Sequence, residues 1–245
     1  MWGIIPAAGA GSRIQPLAFS KELLPVGSRL EDGIERPRAV SEYLVQRMIR
    51  AGVKNLCFVV SPGKTDILEY FGGNIGPMHV CYTVQSRPFG FCDAVFRSLP
   101  FIPADERVCV GLPDTIWFPE DGLCTLPDDG LSFLLFPVTR PELFDSVVTN
   151  EHGDVCGIDV KQPNATSNWI WGAFKMPQNV FAELHELWSE PARRDEYFGT
   201  LVNAYLKRGG HATAVRAGES YVDTGTLHGY REALQMLTSA SVAQS

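Results

Sequence analysis

Trp2-Gly-Ile-Ile-Pro-Ala-Ala8 runs directly into Gly9-Ala-Gly-Ser12, with a cation at Arg13 and another at Lys21. The first seven residues are apolar or small, as in a strand buried on both faces. The glycines that follow let backbone N–H groups approach a ligand without side-chain obstruction. A buried strand that opens into such a loop is the start of an α/β fold, and the two cations beside it point to phosphate.

Outward from this strand, apolar runs alternate with amphipathic segments. Asn55–Val60, His79–Val84, Arg107–Gly111 and Ser132–Val138 read as strands; Ser41–Ala51, Thr65–Phe71 and Asp93–Leu99 read as helices. On Ser41–Ala51, Tyr43, Leu44, Met48 and Ala51 share a face, and Glu42, Arg47 and Arg50 lie elsewhere. The second half reads as a hairpin, Val147–Asn150 with Val155–Lys161, then a strand over Trp169–Lys175. Helices over Gln178–Leu187 and Tyr197–Lys207 follow, then a strand over Ala212–Val215. A final helix over Thr226–Thr238 has Thr226 as its N-cap. This order predicts a mostly parallel sheet with helices on both faces.

The chain has 245 residues, 45% hydrophobic and 20% charged, enough for a sizeable core. Its net charge of −7 argues against a general nucleic-acid-binding surface, while leaving room for a local basic pocket. No apolar run reaches membrane-spanning length, and the N-terminus enters a strand rather than a signal peptide. The six cysteines form no C-x-x-C pair. They read as buried free thiols of a cytoplasmic protein.

The glycine loop is neither of the two common phosphate loops. No G-x-x-x-x-G-K-[ST] occurs, and after Gly9 and Gly11 the third position of a G-x-G-x-x-G frame is Ile14. The longer pattern is more specific: G-x-G-x-R at 9–13, then Pro16, then Ser20-Lys-Glu-Leu-Leu-Pro-Val26, and far downstream Asp223-Thr-Gly-Thr226. It resembles the signature of the sugar-1-phosphate nucleotidyltransferases, the NDP-sugar pyrophosphorylases that include the glucose-1-phosphate thymidylyl- and uridylyltransferases.

That resemblance implies a Rossmann-like, mixed but mostly parallel sheet flanked by helices, the nucleotide-diphospho-sugar transferase fold. It implies a single nucleotidyltransferase domain over 1–238, with a nucleotide half of residues 1–115, a sugar half of residues 116–238, and a frayed tail at 239–245. Ala8, Gly9, Gly11, Ser12 and Arg13 would hold a nucleoside triphosphate, and Arg13 and Lys21 would be catalytic. Gln85 and Gly90, in Gln85-Ser-Arg-Pro-Phe-Gly90, would read the base edge. A glutamine amide offers both a donor and an acceptor, which suits uracil or thymine.

Asp114 follows a strand at the edge where open α/β sheets bind ligands. With Asp223 it would hold Mg²⁺, which takes one or two carboxylates together with phosphate oxygens and water. Lys161 would bind the sugar phosphate, and Trp171 and Gly172 would line the sugar pocket. Trp171 reads equally as a stacking platform or as ordinary core.

Three departures from the pattern stand out. Phe91-Cys-Asp93 replaces the small residue and histidine or glutamine that many relatives carry after Gly90. Pro113 precedes Asp114 where glycine is usual. Val160 stands where relatives carry a glutamate that binds sugar hydroxyls, so the sugar is unusual or Asp159 or Gln162 takes over.

The activity expected is nucleotidyl transfer from UTP or dTTP to a sugar 1-phosphate, releasing pyrophosphate. The alternatives are a cytidylyltransferase for another phosphorylated substrate and a non-catalytic regulatory subunit that binds nucleotide sugars. Nucleic acid and membrane are not expected partners, and a homo-oligomer is open.

Overall fold

The computed structural model describes residues 1–193 and 195–242, with side chains up to Thr238. Its centre is a parallel array. β1 (Trp2–Pro6) lies between β4 (Asn55–Val60) and β7 (Arg107–Gly111), and β6 (Met78–Val84) lies beyond β4. Between these strands come β2 (Pro25–Glu31), β3 (Ile34–Ala39), α1 (Val40–Arg50), α2 (Thr65–Phe71), β5 (Asn74–Ile75) and α3 (Gly90–Phe96).

The second half extends the same sheet. Past β8 (Thr115–Phe118) run β9 (Leu131–Pro137), β10 (Asp145–Thr149), β11 (Val155–Val160) and β12 (Trp169–Pro177). Two helices, α4 (Gln178–Ser189) and α5 (Phe198–Lys207), lead to β13 (Ala212–Val215), β14 (Ser220–Asp223) and α6 (Leu227–Val242). β12 pairs antiparallel with both β7 and β9, so the two halves share one ten-stranded mixed sheet.

Strand alternation explains the two-sided core. Successive residues of β1 point to opposite faces. Ile4 packs with Val95, Phe174 and Phe198 on the side of α3, α4 and α5. Ile5 packs with Leu44, Met48 and Phe58 on the side of α1 and α2. Gly3 is set by close packing, since a Cβ there would stand 2.8 Å from both Leu56 Cδ1 and Met48 Sδ. A third cluster, with Val26, Tyr43, Ile116, Val222 and Ala233, seats α6 against β2 and β14.

Four strands, β2, β3, β8 and β14, were not legible from periodicity, nor was the two-residue β5. β2 and β3 form an exposed antiparallel hairpin, with Leu30 78% exposed, so no buried face imposes an apolar alternation. β8 and β14 pair with each other as a separate two-stranded sheet. Each has only four residues, too short to show a period. Element ends also move by a few residues. The helix expected over Asp93–Leu99 starts at Gly90 and ends at Phe96. The final helix runs on to Val242, and residues 243–245 of the expected tail lie outside the described residues. Thr226 Oγ1 accepts the Gly229 N–H at 3.0 Å, as an N-cap does.

The six cysteines are unpaired, but not all are buried: Cys124 and Cys156 are exposed. No described helix is long and apolar enough to cross a membrane.

Candidate functional site

The carboxyl ends of the parallel strands β1, β4, β6 and β7 lie along one edge, and the chain leaves β1 there into the glycine loop. Gly11 takes φ +66°, and a Cβ on it would sit 2.9 Å from Lys21 Cδ. Glycine therefore serves twice here. It supplies the left-handed turn, and it lets the lysine stem cross the loop. The turn that carries Lys21 is tied down from α2, where Asp66 accepts the Ser20 N–H at 2.6 Å and the Ser20 hydroxyl at 2.7 Å. Half-buried Lys64 braces the same turn. Its ammonium donates to both Glu22 oxygens at 2.8 Å and to the Ala7 carbonyl at 2.6 Å.

Lys21 ends in an ion pair with Asp114, at the exit of β7. Burial pulls the Lys21 ammonium down, but Asp114, Glu22 and Asp223 outweigh it and hold its pKa above the ordinary lysine value. Arg13 reaches Asp223 Oδ2 at 3.3 Å. The two cations expected for phosphate thus face the two carboxylates expected for metal. Burial, and next the Asp114 charge, push the Asp223 carboxyl up, against the Gly225 N–H, Arg13 and Lys21.

Gly225 marks the point of convergence. A Cβ there would stand 2.8 Å from Asp223 Oδ1, 3.1 Å from Arg13 Nη2 and 3.2 Å from Asp114 Oδ2. Two carboxylates aimed at a space that one methyl group would fill form a donor set suited to a hard divalent cation.

Arg13, Lys21, Asp114 and Asp223 line a cavity of about 540 Å³, together with Pro6, Gly9, Glu22, Lys161, Trp171 and Tyr197. That is within the size range of small-molecule sites. A neighbouring cavity of about 760 Å³ shares Arg13, Phe144, Tyr221 and Asp223 with it. Lys161 sits just past β11 at φ +46°, and its ammonium lies 4.4 Å from the centre of the Tyr197 ring. Trp171 is 8% exposed and belongs to both cavity wall and core. It lines the cavity, and it packs against Phe91 and Phe174 in the core.

Other expected residues lie elsewhere. Gly172 does not line the cavity; a Cβ on it would meet Phe136 Cε2 at 2.6 Å and Tyr221 Cε2 at 2.9 Å, so it is a packing glycine behind the wall. Ala8, Gly11, Ser12, Gln85 and Gly90 also fall outside the lining. Gln85 Nε2 donates to the Gly90 carbonyl at 3.0 Å and to Asp93 Oδ2 at 2.7 Å, which fixes the amide against the start of α3. Gly90, at φ +89°, gives room to the Glu196 backbone; a Cβ would stand 2.9 Å from the Glu196 Cα. Of the two proposed stand-ins for the missing glutamate, Asp159 is committed to the Thr166 N–H at 2.9 Å and hydroxyl at 2.8 Å. Gln162 is exposed and outside the lining.

The cavity also contains residues that sequence reasoning missed: Glu22, Phe144, Asp145, Glu196, Tyr197, Phe198 and Tyr221. Glu22 lay inside the quoted Ser-Lys-Glu block and could have been read as a site residue. The rest come from separate strand ends and loops, with no shared spacing to find them by. Tyr221 lies beside the carboxylates, and burial followed by the charges of Asp223 and Asp114 keeps its phenol protonated.

Comparison with known proteins agrees with this geometry. A family model described as nucleotidyl transferase matches residues 2–240. A glucose-1-phosphate thymidylyltransferase of Neisseria meningitidis is 25% identical over 256 aligned residues, covering 100% of this chain and 85% of its own. One of Mycobacterium tuberculosis is 27% identical, covering 92% of this chain and 78% of its own. A solved UTP-bound UGPase from Acinetobacter baumannii shares the fold at TM-score 0.76 and 20% identity, over 96% of this chain and 92% of that one. With the match spanning nearly the whole sequence, and the cavity built by the segments that carry its signature, the chain belongs to the nucleotidyl transferase family.

Proposed function

We propose that the protein transfers a nucleotidyl group from UTP or dTTP to a sugar 1-phosphate, giving an NDP-sugar and pyrophosphate. One observation carries this reading. A single cavity is lined by a carboxylate and cation quartet, Lys21–Asp114 and Arg13–Asp223, and by a further cation, Lys161, together with aromatic side chains. The quartet suits a triphosphate. Lys161, outside the quartet's ion pairs, suits a second, monophosphorylated substrate that brings its own apolar face.

The chemistry asks the protein for position and charge rather than for a covalent intermediate. An oxygen of the sugar phosphate attacks the α-phosphorus, a P–O bond forms there, and the bond to the β,γ-pyrophosphate breaks in line. Lys161 holds the incoming phosphate. Lys21, fixed by Asp114, faces the charge that builds at the α-phosphate, and the more exposed Arg13 holds the outer phosphates. Asp114 and Asp223 would hold Mg²⁺, which neutralises the triphosphate when bound. Among these groups Lys21 is the most rigidly placed, because the Gly11 turn, Ser20 and Glu22 all constrain it. The reading places the reaction in the cytoplasm, where free thiols stay reduced.

The test is pyrophosphate release with Mg²⁺, using UTP, dTTP, CTP and ATP against a panel of sugar 1-phosphates. Release that requires both substrates is the expected result. Release from no pairing, or hydrolysis of triphosphate without a sugar phosphate, overturns the reading.

A further inference from the structure

Asp145 is half-buried in the wall of the cavity, and its Oδ1 completes no hydrogen bond among the described residues. It opens β10, and its partner across the antiparallel pair is Val160 at the end of β11, next to Lys161. Paired residues of antiparallel strands point to the same face, so the two side chains stand together. The packing shows it. A Cβ on Gly199 would meet Val160 Cγ2 at 2.7 Å and Asp145 Oδ2 at 3.3 Å. Oδ2 thus faces the first turn of α5. Oδ1 completes no hydrogen bond among the described residues, and neither does the Nε1–H of Trp171, also on the cavity wall; the indole and the Gly199 N–H only lie near enough to favour the carboxylate, as Lys161 does.

A buried carboxylate oxygen and a buried indole N–H left unpaired each cost stability unless something completes them. A hydroxyl group can complete both, since it donates to a carboxylate and accepts from an N–H. Rotation of the Asp145 carboxylate about χ2 is soft and exchanges its two oxygens, so either can face the cavity. The rest of the wall here is aromatic: Phe91, Phe144, Tyr197, Phe198 and Tyr221.

We propose that Asp145 is the specificity-determining residue of the sugar subsite, accepting a hydroxyl of the sugar whose phosphate Lys161 holds. The acceptor then comes from β10, one strand over from Val160, at the facing register position. The same pairing explains the valine: a second carboxylate at 160 would stand directly beside Asp145, and like charges directly opposite destabilise a strand pair. The aromatic surroundings favour a sugar that offers Asp145 one hydroxyl or an adjacent pair and is otherwise apolar. This rests on the nucleotidyl-transfer reading above for the identity of the ligand.

Direct binding tests it without requiring turnover. Glucose 1-phosphate and inorganic phosphate are titrated calorimetrically into the wild type, Asp145→Ala and Asp145→Asn. The wild type should bind glucose 1-phosphate more tightly than inorganic phosphate. Asp145→Ala should weaken glucose 1-phosphate by about 10- to 100-fold, the usual consequence of losing a hydrogen bond to a charged group, and should not weaken inorganic phosphate, since the lost carboxylate neighbours Lys161. Asp145→Asn, which keeps an acceptor but loses the charge, should fall between. Both variants should melt no lower than the wild type at neutral pH, because each removes a buried, half-satisfied charge. Equal affinity of the wild type for the two ligands, unchanged glucose 1-phosphate binding in Asp145→Ala, or equal losses for both ligands each overturn the proposal. Asp145-dependent sugar binding without pyrophosphate release would sink the transfer reading instead. Release that ignores Asp145 would sink only this one.

Discussion

Thr224 donates both its backbone N–H and its hydroxyl to the carbonyl of Asp114, each at 2.8 Å. Residues 110 apart in sequence are thereby locked together, and with them the two carboxylates that flank Gly225. Thr224 is fully buried, so no water competes for these bonds.

Thr224→Val keeps the backbone bond and the shape but removes the hydroxyl. It should cost about 1 kcal/mol of stability, the net value of a typical hydrogen bond. Turnover should fall by more than that loss explains, because the Asp114 end of the quartet loosens. Thr224→Ser should restore both. Thermal melts and pyrophosphate release on the three proteins check this.

Asp223 gives a pH signature. Its carboxyl is raised by burial and by Asp114, so the folded state holds the proton more tightly than the unfolded chain does. Stability from this group is full below the unfolded carboxylate pKa of about 3.9 and declines as pH rises through the folded value. Asp223→Asn lacks that decline. Without divalent metal, the variant should match the wild type in acid and exceed it at neutral pH, as Tm scans across pH will show.

Metal addition should reverse that order. Mg²⁺ at 100 times its Kd should stabilise the wild type by about 2.7 kcal/mol. Neither Asp223→Asn nor Gly225→Ala should respond, the first for want of a ligand and the second because its methyl fills the convergence point. A full Mg²⁺ shift in Gly225→Ala would place the metal elsewhere.

The Lys64–Glu22 pair should behave as a buried brace. Glu22 is 1% exposed, and burial pushes its carboxyl up against the pull of Lys64. Lys64→Met strands the carboxylate, and breaking a buried pair from one side costs about 3–5 kcal/mol. Adding Glu22→Gln should recover much of the loss. Denaturant midpoints of the single and double variants measure the coupling.

Base choice should follow the Gln85 amide. With Nε2 held by Gly90 and Asp93, Oε1 is the atom left to accept. Uracil and thymine present an N3–H donor, whereas cytosine presents a bare N3 acceptor. UTP and dTTP should exceed CTP in kcat/KM by about 10- to 100-fold, the range set by leaving a buried acceptor unpaired. Gln85→Leu should narrow that ratio, as competition between UTP and CTP will reveal.

The sequence by itself picked out the residues of the Lys21–Asp114 and Arg13–Asp223 quartet, the proposed triphosphate site. Gly9, Gly11, Arg13, Lys21, Asp114 and Asp223 all lie within contiguous motifs, where local chain geometry dictates residue type. A left-handed turn needs Gly11 whatever the rest of the chain does, and a strand buried on both faces must read as a continuous apolar run. The parallel core was legible for the same reason.

Only the tertiary structure decided which side chains surround Lys161 in the proposed sugar subsite. Asp145 carries no local signal, since its meaning comes from the register that sets it opposite Val160 and beside Lys161. Asp159, nearer in sequence to Lys161, is turned away to Thr166. Gly172, beside Trp171 in the chain, faces Phe136 and Tyr221 rather than the cavity. Alternation along a strand sends neighbours to opposite faces, while pairing between strands brings distant residues onto the same one. Asp145 and Val160, beside Lys161, are therefore partners across the sheet, and sequence order does not record which strands will pair.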